Sequence, residues 1–474
     1  MLDSAGIDSR RFSLRGKKWR YRGEGNANLV LALPLEHKIV RLRKCDGAGS
    51  NEPEEVLAER DREHVWREAV FCRGIMVPLL GNAYIQPPTA ARMDRAEVKV
   101  LDQAVRMHRP SHRHHKSLQF GFVTVYPDYA LLPIHLSAES VPVFCVEVKP
   151  KQGWVPMPDR RMPKCTFCMN QYLKMKHRSI ASHSRYCPLD LFSGNRTRMT
   201  QALRALIAAP QNNLKIFKDG TLVYGEELNE DLHAVLASWL GESLGIGKLV
   251  DKLCYLVLEA LTRDLTGRDK LSDSETDESD TDNMAVWERG CQSLLRPTSL
   301  PNGARTPSLA MTERIPSALV AAVTPLLPGP FCDWNAEPLG PDCILGRILR
   351  VQKLDHTGAD RVYETYRRKG GTDYGYVAGP GLSPLHRYLL ATTAKDCSIM
   401  MAFQRLPEHD YRVPEHHVVR DPDGQAFAMN VGVSDLDPKP LSCIEKHRKR
   451  DCEVLAACLE FLRPKTENEA DGRS

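Results

Sequence analysis

Apolar and polar positions along this chain alternate between two periods. Short runs with period two or with continuous β-branched character read as strands. Longer stretches with apolar residues three and four apart read as amphipathic helices. The strongest strand signal is residues 141–148, an apolar run that includes Val141, Val143, Val146 and Val148. Further strands are predicted at 18–22, 29–33, 38–42, 120–126, 214–217, 221–224 and 427–433, and an apolar strand follows Asp396. Helical spacing marks 54–71, where Val56, Leu57, Val65, Trp66 and Val70 recur, and then 195–209, 232–240, 249–261, 343–354 and 384–393. A charged helix closes the chain. Strands and helices in this mixture predict an α+β fold.

Composition narrows the class. The chain has 474 residues, enough for two or three packed units. No apolar run reaches membrane-spanning length, and the polar start does not resemble a secretory signal. A net charge of +5 is too small for a general nucleic-acid binder. Fourteen scattered cysteines without such a signal read as reduced thiols of the cytosol or nucleus, with room for one metal site. Residues 1–17 read as a flexible leader and 466–474 as a flexible tail. The acidic run from Ser272 to Asp282 predicts a disordered insertion over 266–316.

Candidate chemistry gathers at strand ends. Glu147, Lys149 and Lys151 leave the 141–148 strand on one face, and Pro150 ends its ladder. An ion-paired edge strand and a site for a polyanion with a metal-bound phosphate both fit. Gly23, Glu24, Gly25, Asn26 and Asn28 lie between two short strands, and Arg41 sits on the next. That is the layout of a kinase nucleotide flap or of an ordinary hairpin. Cys165, Cys168 and Cys187 with His183, or His177 in its place, form the ligand set of a small zinc site, the alternative being free thiols. Gln211, Asn212 and Asn213 open the strand that carries Lys215, as turn formers or as donors to a hydroxylated ring. Asp396 and Asp435 each stand at the end of an apolar strand, as caps or as catalytic carboxylates.

Taken together, Gly23-Glu24-Gly25-Asn26, Val146-Glu147-Val148-Lys149-Pro150-Lys151, Cys187 to Gly194, Gln211-Asn212-Asn213-Leu214, Ala394-Lys395-Asp396-Cys397-Ser398 and Asp435-Leu436-Asp437-Pro438-Lys439-Pro440 occur in this order. The chain resembles the inositol-pentakisphosphate 2-kinase family, in its animal-like form, over roughly residues 21 to 449. The resemblance implies a two-lobed kinase-like fold. An N-lobe with an antiparallel sheet would span 18–128, and a larger mixed C-lobe would span 129–465. It implies ATP-dependent phosphorylation of the 2-hydroxyl of inositol 1,3,4,5,6-pentakisphosphate to give phytate, with Mg2+. By resemblance the glycine loop, Arg41, Asp128 at the hinge, Glu147 and Lys215 contact the nucleotide, and Lys149 contacts the transferring phosphate. Asp396 accepts the proton, and Asp435 holds magnesium. Arg113 (or Arg109 in its place), Lys151, Lys174, Asn212, Asn213, Lys439 and His447 fall at the inositol-phosphate contacts. A weak relative that only holds inositol phosphates is one competing reading, and a zinc-dependent nucleic-acid binder is another. A monomer in nucleus and cytoplasm, needing neither membrane nor nucleic acid, is expected.

Overall fold

In the computed structural model, residues 10–25, 27–46, 53–118, 121–138, 140–226, 228, 231–267, 332–368, 382–407 and 413–461 are described. Asn26, nearly all of the expected acidic insertion and the C-terminal tail lie outside them.

The first half builds one sheet. Its strands are β1 (Arg11–Phe12), β2 (Arg20–Glu24), β3 (Asn28–Leu33), β4 (Lys38–Arg43), β6 (Thr89–Met93) and β8 (Phe122–Pro127), ordered β1-β6-β8-β4-β3-β2. β5 (Cys45–Asp46) and β7 (Lys116–Ser117) pair separately. The expected antiparallel sheet is mixed, because β1 runs parallel to β6. The expected flexible leader is partly ordered for the same reason. Leu14 is buried, and its amide donates to Glu97 at 2.6 Å, which ties the segment to the sheet's helix. α1 (Glu54–Phe71) and α2 (Arg95–Val105) accompany this sheet, and Leu29, Leu31, Val40, Leu42, Met93, Val98 and Val123 form its core.

The second sheet is wholly antiparallel, ordered β11-β10-β9-β12-β14-β13. It comprises β9 (Val143–Val148), β10 (Leu214–Lys218), β11 (Thr221–Tyr224), β12 (Ser398–Arg405), β13 (Val418–Arg420) and β14 (Ala426–Ser434). Its helices are α3 (Thr166–Lys176), α4 (Arg196–Ala208), α5 (Leu232–Leu240), α6 (Ile246–Thr262), α7 (Ile344–Gln352), α8 (Ala359–Arg368), α9 (Pro384–Asp396) and α10 (Cys443–Glu460).

Alternation along the central strands decides which side chains face the chemistry. Phe144, Val146 and Val148 of β9 enter the large core with Ile216, Ile399, Met401 and Val431. Each such burial contributes on the order of 1.5–3 kcal/mol. Val143 and Cys145 face the other side with Phe217, Met400 and Ala402, and by the same period Glu147 and Lys215 project there. The link between the sheets is fastened at Tyr129. Its ring lies against Gly432 so closely that a Cβ there would stand 2.1 Å from the ring.

Candidate active site

Three chain segments end together at one edge of the second sheet. β9 delivers Glu147 and then Lys149. Pairing goes one step past the strand, since the Lys149 amide donates to the Asn213 carbonyl at 2.9 Å. β12 begins at Ser398, opposite Ser434 at the end of β14, so Asp396 and Asp435 arrive from neighbouring elements. Asp396 is the last residue of α9, rather than part of the strand it precedes.

The side chains meet in pairs of opposite charge. Lys149 Nζ donates to Asp435 Oδ2 at 3.1 Å. Lys439 Nζ donates to Asp396 Oδ2 at 2.8 Å, and Lys151 Nζ lies 3.8 Å from its other oxygen. The carboxylates of Asp435 and Asp396 are 47 % and 56 % exposed, so both are reachable by ligands. Burial pushes the Asp396 carboxyl up. The Lys439 hydrogen bond and the charges of Lys439, Lys151 and Lys149 outweigh it and hold the group below its ordinary range. Asp435 is also low: burial opposes ionisation, and Lys149, Arg41 and the Ser398 hydrogen bond overcome it. Lys149 is raised, because Asp435 and Glu147 outweigh its desolvation. Lys151 is lowered by burial.

Three non-glycine residues at this site sit in the left-handed backbone region: Lys151 at φ 62°, Gln211 at φ 46° and Asp435 at φ 61°. Such conformations persist where surrounding contacts over-determine them. For Lys151 the contacts come from Gln352. Its amide donates to the Lys151 and Ala394 carbonyls at 3.0 and 3.2 Å and accepts from the Gly153 amide at 2.8 Å.

Several functional partners escaped the sequence reading. Ser398 Oγ lies 2.8 Å from Glu147 and 2.9 Å from Asp435, a single hydroxyl shared by two carboxylates. Ser398 lay inside a recognised motif but carried no role. Arg41 forms a bidentate pair with Asp437 at 2.9 Å for both bonds, and bonds Glu68 of α1 at 2.9 Å. Tyr126 also donates to Glu68. Asn28, with its amide oriented to satisfy both neighbours, accepts from Arg41 at 3.0 Å. Both terminal nitrogens of Arg41 are thus held by Glu68, Asp437 and Asn28.

Other expected residues are placed differently. The Glu24 carboxylate is buried against Lys44 and Arg109, with Arg109 bonds of 2.9 and 3.1 Å. Its side chain pins the hairpin and leaves only backbone for a nucleotide. Arg109, the alternative to Arg113, is thereby consumed. Arg113 sits on the following turn, 3.3 Å from His112, and forms no hydrogen bond with the lysine–aspartate group. Asp128 is a buried cap, accepting from the Ala130 amide at 3.0 Å, with Arg22 at 3.6 Å. Lys215 stands opposite Glu147 across β10 and β9. Asn212 is exposed and Asn213 buried. His447 accepts from or donates to Tyr388 at 3.0 Å, and burial together with Lys395 and Lys439 lowers its pKa, so it stands neutral at pH 7. Of the basic run 446–450, Arg448 pairs with Asp360 at 2.6 Å and Arg450 bonds Asn170 at 2.9 Å, so the run is partly docked.

The cysteine expectation needs one correction. Cys165, Cys168 and Cys187 do converge, but the fourth member is Cys332, and all four sulfurs lie within 4.8 Å of one another. His183 is turned away, with its ring against Tyr172 and Phe461. Cys332 follows the others by 145 residues or more, so no local spacing could reveal it.

Paired carboxylates and lysines meet at the mouths of central strands, beside a cationic β4 residue bonded to a helix glutamate, and phosphoryl transfer draws on charges of this kind. A family model described as inositol-pentakisphosphate 2-kinase matches residues 21–453. An inositol-pentakisphosphate 2-kinase of Danio rerio is 27% identical, covering 92% of each chain. One of Arabidopsis thaliana is 25% identical, again over 92% of each. One of Drosophila melanogaster is 26% identical over 52% of this chain and 54% of its own. The chain belongs to the inositol-pentakisphosphate 2-kinase family. Among the described residues, no helix is long and apolar enough to cross a membrane.

Proposed function

We propose that this protein transfers the γ-phosphoryl group of ATP to the 2-hydroxyl of inositol 1,3,4,5,6-pentakisphosphate, giving inositol hexakisphosphate. The observation that carries the reading is the convergence of Lys149, Asp396 and Asp435 from three segments onto one sheet edge. The two sheets act as two lobes, with the nucleotide between them and the hinge at Asp128.

Asp396 takes the proton from the attacking hydroxyl. It is ionised at neutral pH and so able to accept, although the lysines that lower its pKa also make it a weaker base than an ordinary aspartate. Lys149 neutralises charge on the transferring phosphate. Lys151, Lys174, Asn212 and Lys439 hold the phosphates of the inositol. Asp435 and the nucleotide phosphates supply the hard oxygen donors that Mg2+ prefers, with Ser398 fixing the Asp435 carboxylate. When bound, that ion supplies charge neutralisation at the phosphate oxygens. The four cysteines fit a structural zinc ion. Tetrahedral bonds of about 2.3 Å place sulfurs roughly 3.8 Å apart, and Cys187 lies 4.0 Å from Cys165 and 3.8 Å from Cys332.

The test is a kinase assay with purified protein, Mg-ATP and inositol 1,3,4,5,6-pentakisphosphate, with products resolved by anion exchange. Inositol hexakisphosphate from the wild type and none from Lys149→Ala is the expected result. No product, with tight inositol-phosphate binding retained, would instead make the protein a binding scaffold.

A further inference from the structure

Lys174 differs from the other cations assigned to substrate. Lys149, Lys151 and Lys439 each face an aspartate. Lys174 has no carboxylate in salt-bridge contact among the described residues, and the exposed Glu226 acts on it only from farther away. Its ammonium donates instead to the neutral side chain of Gln211, at 2.5 Å from Oε1. Because that oxygen faces the lysine, the Gln211 amide nitrogen must point the other way. It donates to Gln171 Oε1 at 2.9 Å. The Ser184 backbone amide donates to the same oxygen at 3.3 Å.

Gln171 is 1 % exposed and Gln211 8 % exposed, so neither amide is there for solvent. Gln171 and Lys174 lie three residues apart on α3 and share one helix face. Gln211 reaches them because its backbone takes the left-handed conformation just after Pro210. A strained non-glycine residue whose side chain ends on a lysine is a feature with a purpose to find. The chemistry supplies one. A carboxylate at position 211 would neutralise Lys174 and compete with a phosphate. An amide holds the ammonium in place without cancelling its charge.

We propose that Gln171 and Gln211 form a buried amide relay that positions the Lys174 ammonium, with no carboxylate in contact, for a phosphate group of the inositol. Gln171 Oε1 sets the orientation of Gln211, and Gln211 Oε1 sets the position of Lys174. Both are positioning residues. The inference rests on the reading of Lys174 as an inositol-phosphate contact.

The test is steady-state kinetics of the full chain with Gln171→Leu, Lys174→Ala and the double variant, varying each substrate in turn. Gln171→Leu is expected to raise KM for inositol pentakisphosphate about tenfold, leaving KM for ATP and kcat within about twofold. The double variant is expected to be no worse than Lys174→Ala alone, because the relay acts only through the lysine. If Lys174→Ala raises that KM and Gln171→Leu does not, or if the two effects add in full, the relay is overturned. If Lys174→Ala leaves KM unchanged, the reading of Lys174 fails, and the relay with it. Should Gln171→Leu fail to fold, Gln211→Glu replaces it. A wild-type melting temperature with a raised inositol-phosphate KM supports the relay, and an unchanged KM overturns it.

Discussion

Asp396 sits at the C-terminal end of a helix, where the backbone carbonyls disfavour a negative charge. Lys439 and Lys151 more than offset this. Asp396→Asn should therefore keep binding of both substrates and lower kcat by about 10²–10⁴-fold, read by turnover alongside calorimetric binding. Lys439→Ala has two consequences. It should raise KM for the inositol phosphate, and it should raise the Asp396 pKa, because the carboxylate loses its hydrogen bond and nearest cation. Carboxyl-carbon NMR on the two proteins checks the sign. In the wild type this depressed pKa contributes stability that is present at neutral pH and is lost as pH falls through the folded-state value. At this scale the grouping of Lys149, Asp396 and Asp435 was legible only from the family resemblance, since each alone also reads as a cap or an ion-paired edge residue. Ser398, Glu68, Gln352 and Cys332 were not. Each matters only through a partner far away in the chain, and spacing along the chain carries no information about such partners.

Among the elements, α1 was predicted with its observed bounds, although its apolar residues do not share one face: Val56 is exposed while Val65 and Ala69 are buried. Periodicity could not show what its buried polar residue costs. Asp61 is 3 % exposed, and burial pushes its carboxyl up to about 7, with Arg43 at 3.2 Å pulling the other way. The unfolded chain keeps a value of about 4. Stability should therefore fall as pH rises from about 4 towards 7 and level off above. Asp61→Asn should stabilise the protein by on the order of 2 kcal/mol at pH 8 and by little at pH 4. Urea denaturation at the two pH values measures this. α3 was legible in principle, since Met169, Tyr172 and Leu173 share a face and pack on Val454 and Leu455 of α10. Its cysteines drew the reading towards metal ligands instead. Gly432→Ala should destabilise by about 1–3 kcal/mol, because the ring of Tyr129 cannot retreat without moving the link between the sheets.

For the whole molecule, the decisive contact is the one between Cys332 and the three earlier cysteines, which joins distant parts of the chain. Metal analysis of the purified protein should find about one zinc per chain. Cys332→Ser should lose it and lower the melting temperature. His183→Ala should retain it, and the reverse pattern would restore the histidine to the ligand set. The mixed α+β class was legible because most strands are short apolar runs, buried along nearly their whole length in β12 and β14 rather than alternating. β6 and β13 were not predicted. The parallel β1–β6 pair was not, since two residues are too few to carry a period.

β9 has a consequence for how such a protein can change over generations. The strand is hydrogen-bonded on both sides, with Glu147 opposite Lys215 on one neighbour and Met400 on the other. One codon deleted within it would turn every following side chain to the opposite face, moving Lys149 towards the core and away from Asp435. Surface loops, whose length costs little, are under no such constraint. Within those few residues, heritable change is confined to substitution.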